Sequence, residues 1–203
     1  MKFKKTALTL FAMAAITGFS FPGGVQAAPT ASVTETTPAA VDPELRALVK
    51  KAAMETDSFA DRFDGEVWLA DMSRRLEQRV PDAHYRVELL KHVHYEAHRT
   101  GLPPELVLAV IDVESDFKQY AISHAGARGL MQVMPFWLKE IGQPGDSLFR
   151  IHTNLRLGCT ILKYYLDREK GNLFAALKRY NGTRERDYSL KVDKVSRTRW
   201  YKQ

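Results

Sequence analysis

A strongly apolar helical run that ends on a carboxylate constrains this chain more than any other stretch. Pro103 and Pro104 open it, Leu106, Val107, Val110, Ile111 and Val113 fill it, and it closes near Ser115. Glu114 follows Ile111, Val110 and Val107 by three, four and seven positions, so it shares their face. A carboxylate on such a face is partly desolvated, which raises its pKa toward the range where it donates a proton at neutral pH. The alternative is a carboxylate paired with Arg128 or another base. Asp112 falls on another face with Leu108 and Glu105, and Asp116 lies beyond the helix end. Both are expected to face solvent or make local hydrogen bonds.

Helix signals continue on either side. Asp82 can cap a helix reaching Arg99, with Gly101 just past its end and Val87, Leu90, Val93 and Ala97 as its apolar stripe. Its His92, His94 and His98 include one pair a turn apart, but no third ligand and no HExxH pattern, so they are expected to be surface or interface histidines and no metal is expected. Beyond the small-residue loop after Glu114, a helix over 153–168 buries Leu155, Cys159, Leu162 and Leu166 and stops near Gly171. Asn172 can cap one more helix leading to Tyr180. Cys159, the only cysteine, lies on the apolar face of its helix and is expected to pack as a small hydrophobe rather than act as a nucleophile.

The N-terminal part reads as delivery. Lys2, Lys4 and Lys5, the apolar run Ala7 to Ile16 and the small-residue site Val25-Gln26-Ala27 form a secretory signal over 1–27. Its apolar run is too short to span a bilayer, and no later stretch is long enough. A periplasmic or secreted location is expected, with no cysteine at the cleavage site to carry lipid. Residues 28–41 have the composition of a flexible linker. Residues 42–81 hold two candidate helices, one from the Asp42-Pro43 start to about Met54 and one over 63–78, forming a short helical N-terminal region. Loss of the signal lowers the formal charge from +6 to 27 basic against 24 acidic side chains, too mild for a nucleic-acid binder.

The loop after Glu114 carries the most specific pattern. Glu114-Ser115-x-Phe117, then Ser123-x-Ala125-Gly126-Ala127-x-Gly129-Leu130-Met131-Gln132-x-Met134-Pro135, then Asn154-x-x-x-Gly158 and Tyr180-Asn181-Gly182 stand at fixed spacings. This set resembles the signature of the soluble lytic transglycosylases, the SLT family related to goose-type lysozymes, over roughly Tyr85 to Gly182. The resemblance implies a mainly α, lysozyme-like domain over 82–203 with a catalytic cleft. It also implies cleavage of the bond between N-acetylmuramic acid and N-acetylglucosamine in peptidoglycan glycan strands without water, leaving 1,6-anhydromuramic ends. Glu114 would act as acid and then base, with no cofactor, and the N-terminal region over 42–81 can then dock a partner of the cell-wall machinery.

The substrate-binding residues that the resemblance suggests are Ser123, Gln132, Met134, Tyr180 and Asn181, with the Tyr180 hydroxyl directed at Glu114 or the substrate. Ser123 also suits a turn cap, and Asn181 a left-handed helix cap. Gly126 and Gly129 are expected to bring loop backbone close to sugar, and Asn154 to cap its helix or line the cleft. Met131 is expected in the core. Phe136-Trp137-Leu138-Lys139 departs from the family's small residues, so Trp137 either stacks on sugar or anchors a short helix. Thr183 and Arg184 replace the usual residues after the tyrosine motif, and the basic segment from Arg184 to Lys202 is expected to be a solvated terminal helix. A hydrolase on the same scaffold and a non-catalytic wall-binding module are the competing readings.

Overall fold

A computed structural model describes residue 47, residues 58–182 and residues 187–201. The expected signal, the linker and most of the first candidate helix lie outside the described residues. The described residues form seven α-helices, α1 (Arg62–Leu76), α2 (Ala83–Thr100), α3 (Pro104–Ser115), α4 (Phe136–Ile141), α5 (Ile151–Arg168), α6 (Leu173–Asn181) and α7 (Asp187–Val195), followed by a π-helical turn (Ser196–Trp200). Extended pairing among them is confined to two isolated antiparallel bridges, Ile122 with Arg128 and Arg128 with Val133.

Local chemistry sets the helix ends. The Asp82 carboxylate accepts from the Tyr85 N–H, and Gly101 closes α2 in the left-handed conformation. Pro103 and Pro104 start α3, while the Asn172 side chain accepts from the Ala175 N–H to start α6.

Helix α3 runs through the middle of the molecule, with Leu106 through Ile111 all buried. It meets α2 on one side and α7 with the π-helical turn on another, while α5 bridges α2 and α6. Leu69, Met72, Leu76 and Val80, on and just after α1, share one core with α2, α3 and α5. The junction is tied by Arg86, which donates to Ser73 Oγ at 2.8 Å and to the Val80 carbonyl at 2.6 Å.

His94 belongs to an aromatic cluster. It stacks on Phe59 at 3.6 Å, meets Trp68 edge-on at 4.9 Å and hydrogen-bonds Ser58 Oγ at 2.8 Å. Burial pushes its imidazole down to about 4, so it is neutral near pH 7. His92 faces Glu88 at 3.0 Å and His98 is exposed. Among the described residues no group of three or more His, Cys, Asp or Glu is placed to hold a metal ion. No described helix is long and apolar enough to cross a membrane.

Two expectations for the scaffold are corrected. Asp112 is buried, and its carboxylate accepts two bonds from Arg199 Nη1 at 2.9 and 3.1 Å and one from Trp200 Nε1 at 3.2 Å. Its face of α3, empty in the sequence reading, is covered by the C-terminal turn. That segment is accordingly not a solvated appendage: Ser189, Val192, Ser196 and Trp200 are buried, and Trp200 packs edge-on against Phe117 at 5.5 Å.

Candidate active site

Helix α3 delivers Glu114 into an open cleft of about 460 Å³, whose walls include Ser123, Gln132, Ile122 and Lys191. Burial is the main influence on the Glu114 carboxyl and raises it from its ordinary 4.5 to about 7. Three groups oppose that rise: a hydrogen bond from Tyr188, the charge of Lys191 and a hydrogen bond from the Asn181 side chain. The Tyr188 hydroxyl donates to Glu114 Oε1 at 2.6 Å. Burial and the Glu114 charge together hold the Tyr188 phenol well above its usual range, so it stays a donor.

The loop after α3 is braced from beneath by α5. Asn154, fully buried, spends its whole amide on it: Oδ1 accepts from the Met131 N–H at 2.8 Å, and Nδ2 donates to the Arg128 and Leu148 carbonyls at 2.9 and 2.7 Å. It therefore neither caps its helix nor lines the cleft. Gly129 must lack a side chain here, because its φ is +75° and a Cβ would stand 2.3 Å from both Asn154 Nδ2 and the Leu148 carbonyl. Gly158, one turn after Asn154, leaves room for Met131, whose Sδ would lie 2.4 Å from an added Cβ. Met131 is fully buried, and Cys159 packs beside it with Sγ 3.9 Å from its Sδ. Burial pushes the Cys159 thiol up, which keeps it un-ionised.

The sequence-selected residues divide. Glu114, Ser123 and Gln132 share the cleft wall, and Asn181 reaches Glu114 from the end of α6. Ser123 also closes its own turn, its hydroxyl accepting from the Ala127 N–H at 3.1 Å. The Gln132 NH2 group is committed to the loop, donating to the Ala121 and Gly129 carbonyls at 3.2 and 2.9 Å from a left-handed backbone with φ +47°.

Tyr180 takes a different place from the one expected. Its hydroxyl donates to the Met131 carbonyl at 2.8 Å, so it pins the loop, and the tyrosine on Glu114 is Tyr188. Met134 is half-buried and absent from the cleft wall; its carbonyl instead accepts from the Trp137 N–H at the start of α4. Trp137 packs on the core and lies 5.0 Å from Phe136, which makes it the anchor of that short helix.

Tyr188 and Lys191 were missed because the C-terminal segment was weighed by its charge. The spacing of Tyr188, Val192 and Val195 marks one apolar helical face, and that signal would have placed α7 against the core.

Replacing Tyr188 with phenylalanine removes a donor that favours the ionised carboxylate. The Glu114 pKa is then expected to rise by about one unit, since a hydrogen bond to a charged group contributes ~1.5–3 kcal/mol and one unit is 1.36 kcal/mol. The alkaline limb of the kcat/KM profile should move upward with it. An unmoved limb would show that the bond does not act on the ionised form.

Residues 91–198 match the model of the family described as Transglycosylase SLT domain. A membrane-bound lytic murein transglycosylase C of Mannheimia succiniciproducens is 40% identical over 82 residues, covering 36% of this chain and 23% of that relative. The protein of the same description from Histophilus somni is 36% identical over 101 residues, covering 42% of this chain and 28% of the relative. The matched part thus spans about a quarter of these curated relatives. Among solved structures, the lytic transglycosylase Slt of Pseudomonas aeruginosa aligns at 22% identity with a TM-score of 0.43, over 81% of this chain and 36% of that one.

Proposed function

The chain belongs to the Transglycosylase SLT domain family, and from that premise we propose that it is a peptidoglycan lytic transglycosylase acting on the murein glycan outside the cytoplasm. The observation that carries the reading is one desolvated carboxyl, held at about 7, in a cleft whose other carboxylates, among the described residues, are ion-paired. The other two carboxylates of the cleft wall are engaged, Asp112 by Arg199 and Trp200 and Asp116 by Arg79 at 3.1 Å. An ordinary glycosidase needs two working carboxyl groups. With one desolvated carboxyl, the substrate's own groups supply the second function in this reading.

In the proposed sequence the Glu114 carboxyl protonates the oxygen that bridges muramic acid to the next sugar. The bond from that oxygen to the anomeric carbon breaks, and the muramic acid's own acetamido oxygen bonds to the carbon in its place. The Glu114 carboxylate then takes the proton of the 6-hydroxyl, whose oxygen attacks the same carbon and displaces the acetamido oxygen. A 1,6-anhydro ring results, Glu114 is protonated again, and no water is consumed. The internal nucleophile brings a large effective concentration to the second step. Tyr188 and Asn181, which favour the ionised carboxylate, assist the moment at which it forms.

Digestion of purified sacculi tests this, with the fragments read by mass spectrometry. Muropeptides with anhydro ends, released by the wild type and not by Glu114→Gln, are the expected result. Reducing ends would overturn the anhydro product in favour of hydrolysis, and absence of any Glu114-dependent release would leave the cleft as a wall-binding site.

A further inference from the structure

The rim of the cleft carries apolar surface that the proton chemistry does not use. Tyr120 is 72% exposed and Ile122 64%, and Ile122 continues into the cleft wall. The Tyr120 ring lies against Phe149 with centroids 6.0 Å apart, and the Arg128 guanidinium stands over Phe149 at 5.9 Å. The backbone beneath is tied in place. Gln119 Nε2 donates to the Phe149 carbonyl at 2.7 Å, the Gly129 N–H to the Ala121 carbonyl at 2.9 Å, and Ile122 bridges Arg128. Single exposed apolar side chains are ordinary. An aromatic pair whose exposed tyrosine stands two positions from an exposed isoleucine, all three on backbone held at the mouth of a cleft, is a different case, because it keeps several apolar side chains in water at one place.

We propose that Tyr120, Ile122 and Phe149 form a saccharide-binding shelf, on which an N-acetylhexosamine ring of the glycan outside the cleft lays its apolar C–H face. The proposal rests on the glycan reading of the cleft. A linear polymer seated in an open cleft leaves it across the rim, and Ile122 of the shelf also belongs to the cleft wall. A pyranose ring matches such a shelf because its C–H face is apolar while its hydroxyl and acetamido groups point outward from the ring edge. Rigid aromatic side chains supply that contact at small entropic cost.

The test reads binding without turnover, using the full chain carrying Glu114→Gln. Its Kd is measured by calorimetry for a long stem-free glycan strand and for a short fragment that fills the cleft alone. Adding Tyr120→Ala is expected to weaken the strand about tenfold, the effect of losing some 50 Å² of apolar contact, and to leave the short fragment within about twofold. Tyr120→Phe should retain parental affinity, since the ring and not the hydroxyl makes the contact. Unchanged strand affinity in Tyr120→Ala would overturn the shelf, as would an equal loss for both ligands. If the parent binds neither saccharide, the glycan reading itself fails, whereas a parent that binds both and is indifferent to Tyr120 removes the shelf alone.

Discussion

Replacing Glu114 by glutamine is expected to reduce turnover on sacculi by about a thousandfold or more, and at the same time to make the folded protein more stable in mildly alkaline solution. The first effect follows from the number of steps that depend on one side chain. A positioned acid or base contributes ~10²- to 10⁴-fold, and Glu114 is asked to be both in turn. The second effect follows from its environment. Burial raises the carboxyl from 4.5 to about 7, so between those values the folded chain holds a proton that the unfolded chain has released. Stability therefore falls as pH rises through that window and stays lowered above it. Glutamine carries no charge at any pH and resembles the protonated acid, so it escapes the loss. Unfolding free energies from denaturant titration should favour Glu114→Gln by up to about 3 kcal/mol above about pH 8, with a higher midpoint, and converge with the wild type below about pH 4. In the wild type, kcat/KM should decline as pH rises through about 7, where the proton to be donated is lost. Equal midpoints for the two proteins at alkaline pH would mean that Glu114 is not desolvated, and the account of its acidity would fall.

What could be read from the sequence was what acts locally. Asp82, Gly101 and Asn172 bond to groups one turn away, and they set the helix ends where the sequence placed them. Glu114 was legible because three apolar residues of its own helix reported its face. The residues that build the site around it bond across the fold. Asn154 reaches Met131 over 23 positions, Tyr180 reaches Met131 over 49, and Tyr188 reaches Glu114 over 74. Residue type put Asn154 and Tyr180 among the polar candidates and left Tyr188 out, and in all three cases tertiary packing selected the partner. Tyr180 and Tyr188 show this most directly. Both are tyrosines of helices that pack against one another, and only their positions on those helices decide which hydroxyl meets the carboxylate and which braces the loop.

Loss of Asp112 is expected to damage the scaffold around the site. The residue lies two positions before Glu114, and its side chain is only 5% exposed while it grips Arg199 and Trp200. Arg75 of α1 donates to the Arg199 carbonyl at 2.9 Å, so the turn that this carboxylate ties to α3 is also bonded to α1. That turn continues α7, which carries Tyr188 and Lys191 to the site. In Asp112→Ala the Trp200 indole N–H is left buried without its acceptor, because Trp200 is 1% exposed. The Arg199 side chain, 46% exposed, can return to water. An unsatisfied buried donor costs ~1–3 kcal/mol and breaking a buried ion pair ~3–5 kcal/mol. With one partner half in solvent, the expected loss is about 3 kcal/mol, read as a lower denaturant midpoint. Asp112→Asn keeps an acceptor for the indole and should lose less than half as much. The pH profile separates the anchor from the catalytic group: a loosened α7 withdraws Tyr188 and Lys191 together, so the Glu114 limb in Asp112→Ala should move upward, as in Tyr188→Phe. A variant that is destabilised but leaves that limb in place would confine Asp112 to packing and detach it from the chemistry.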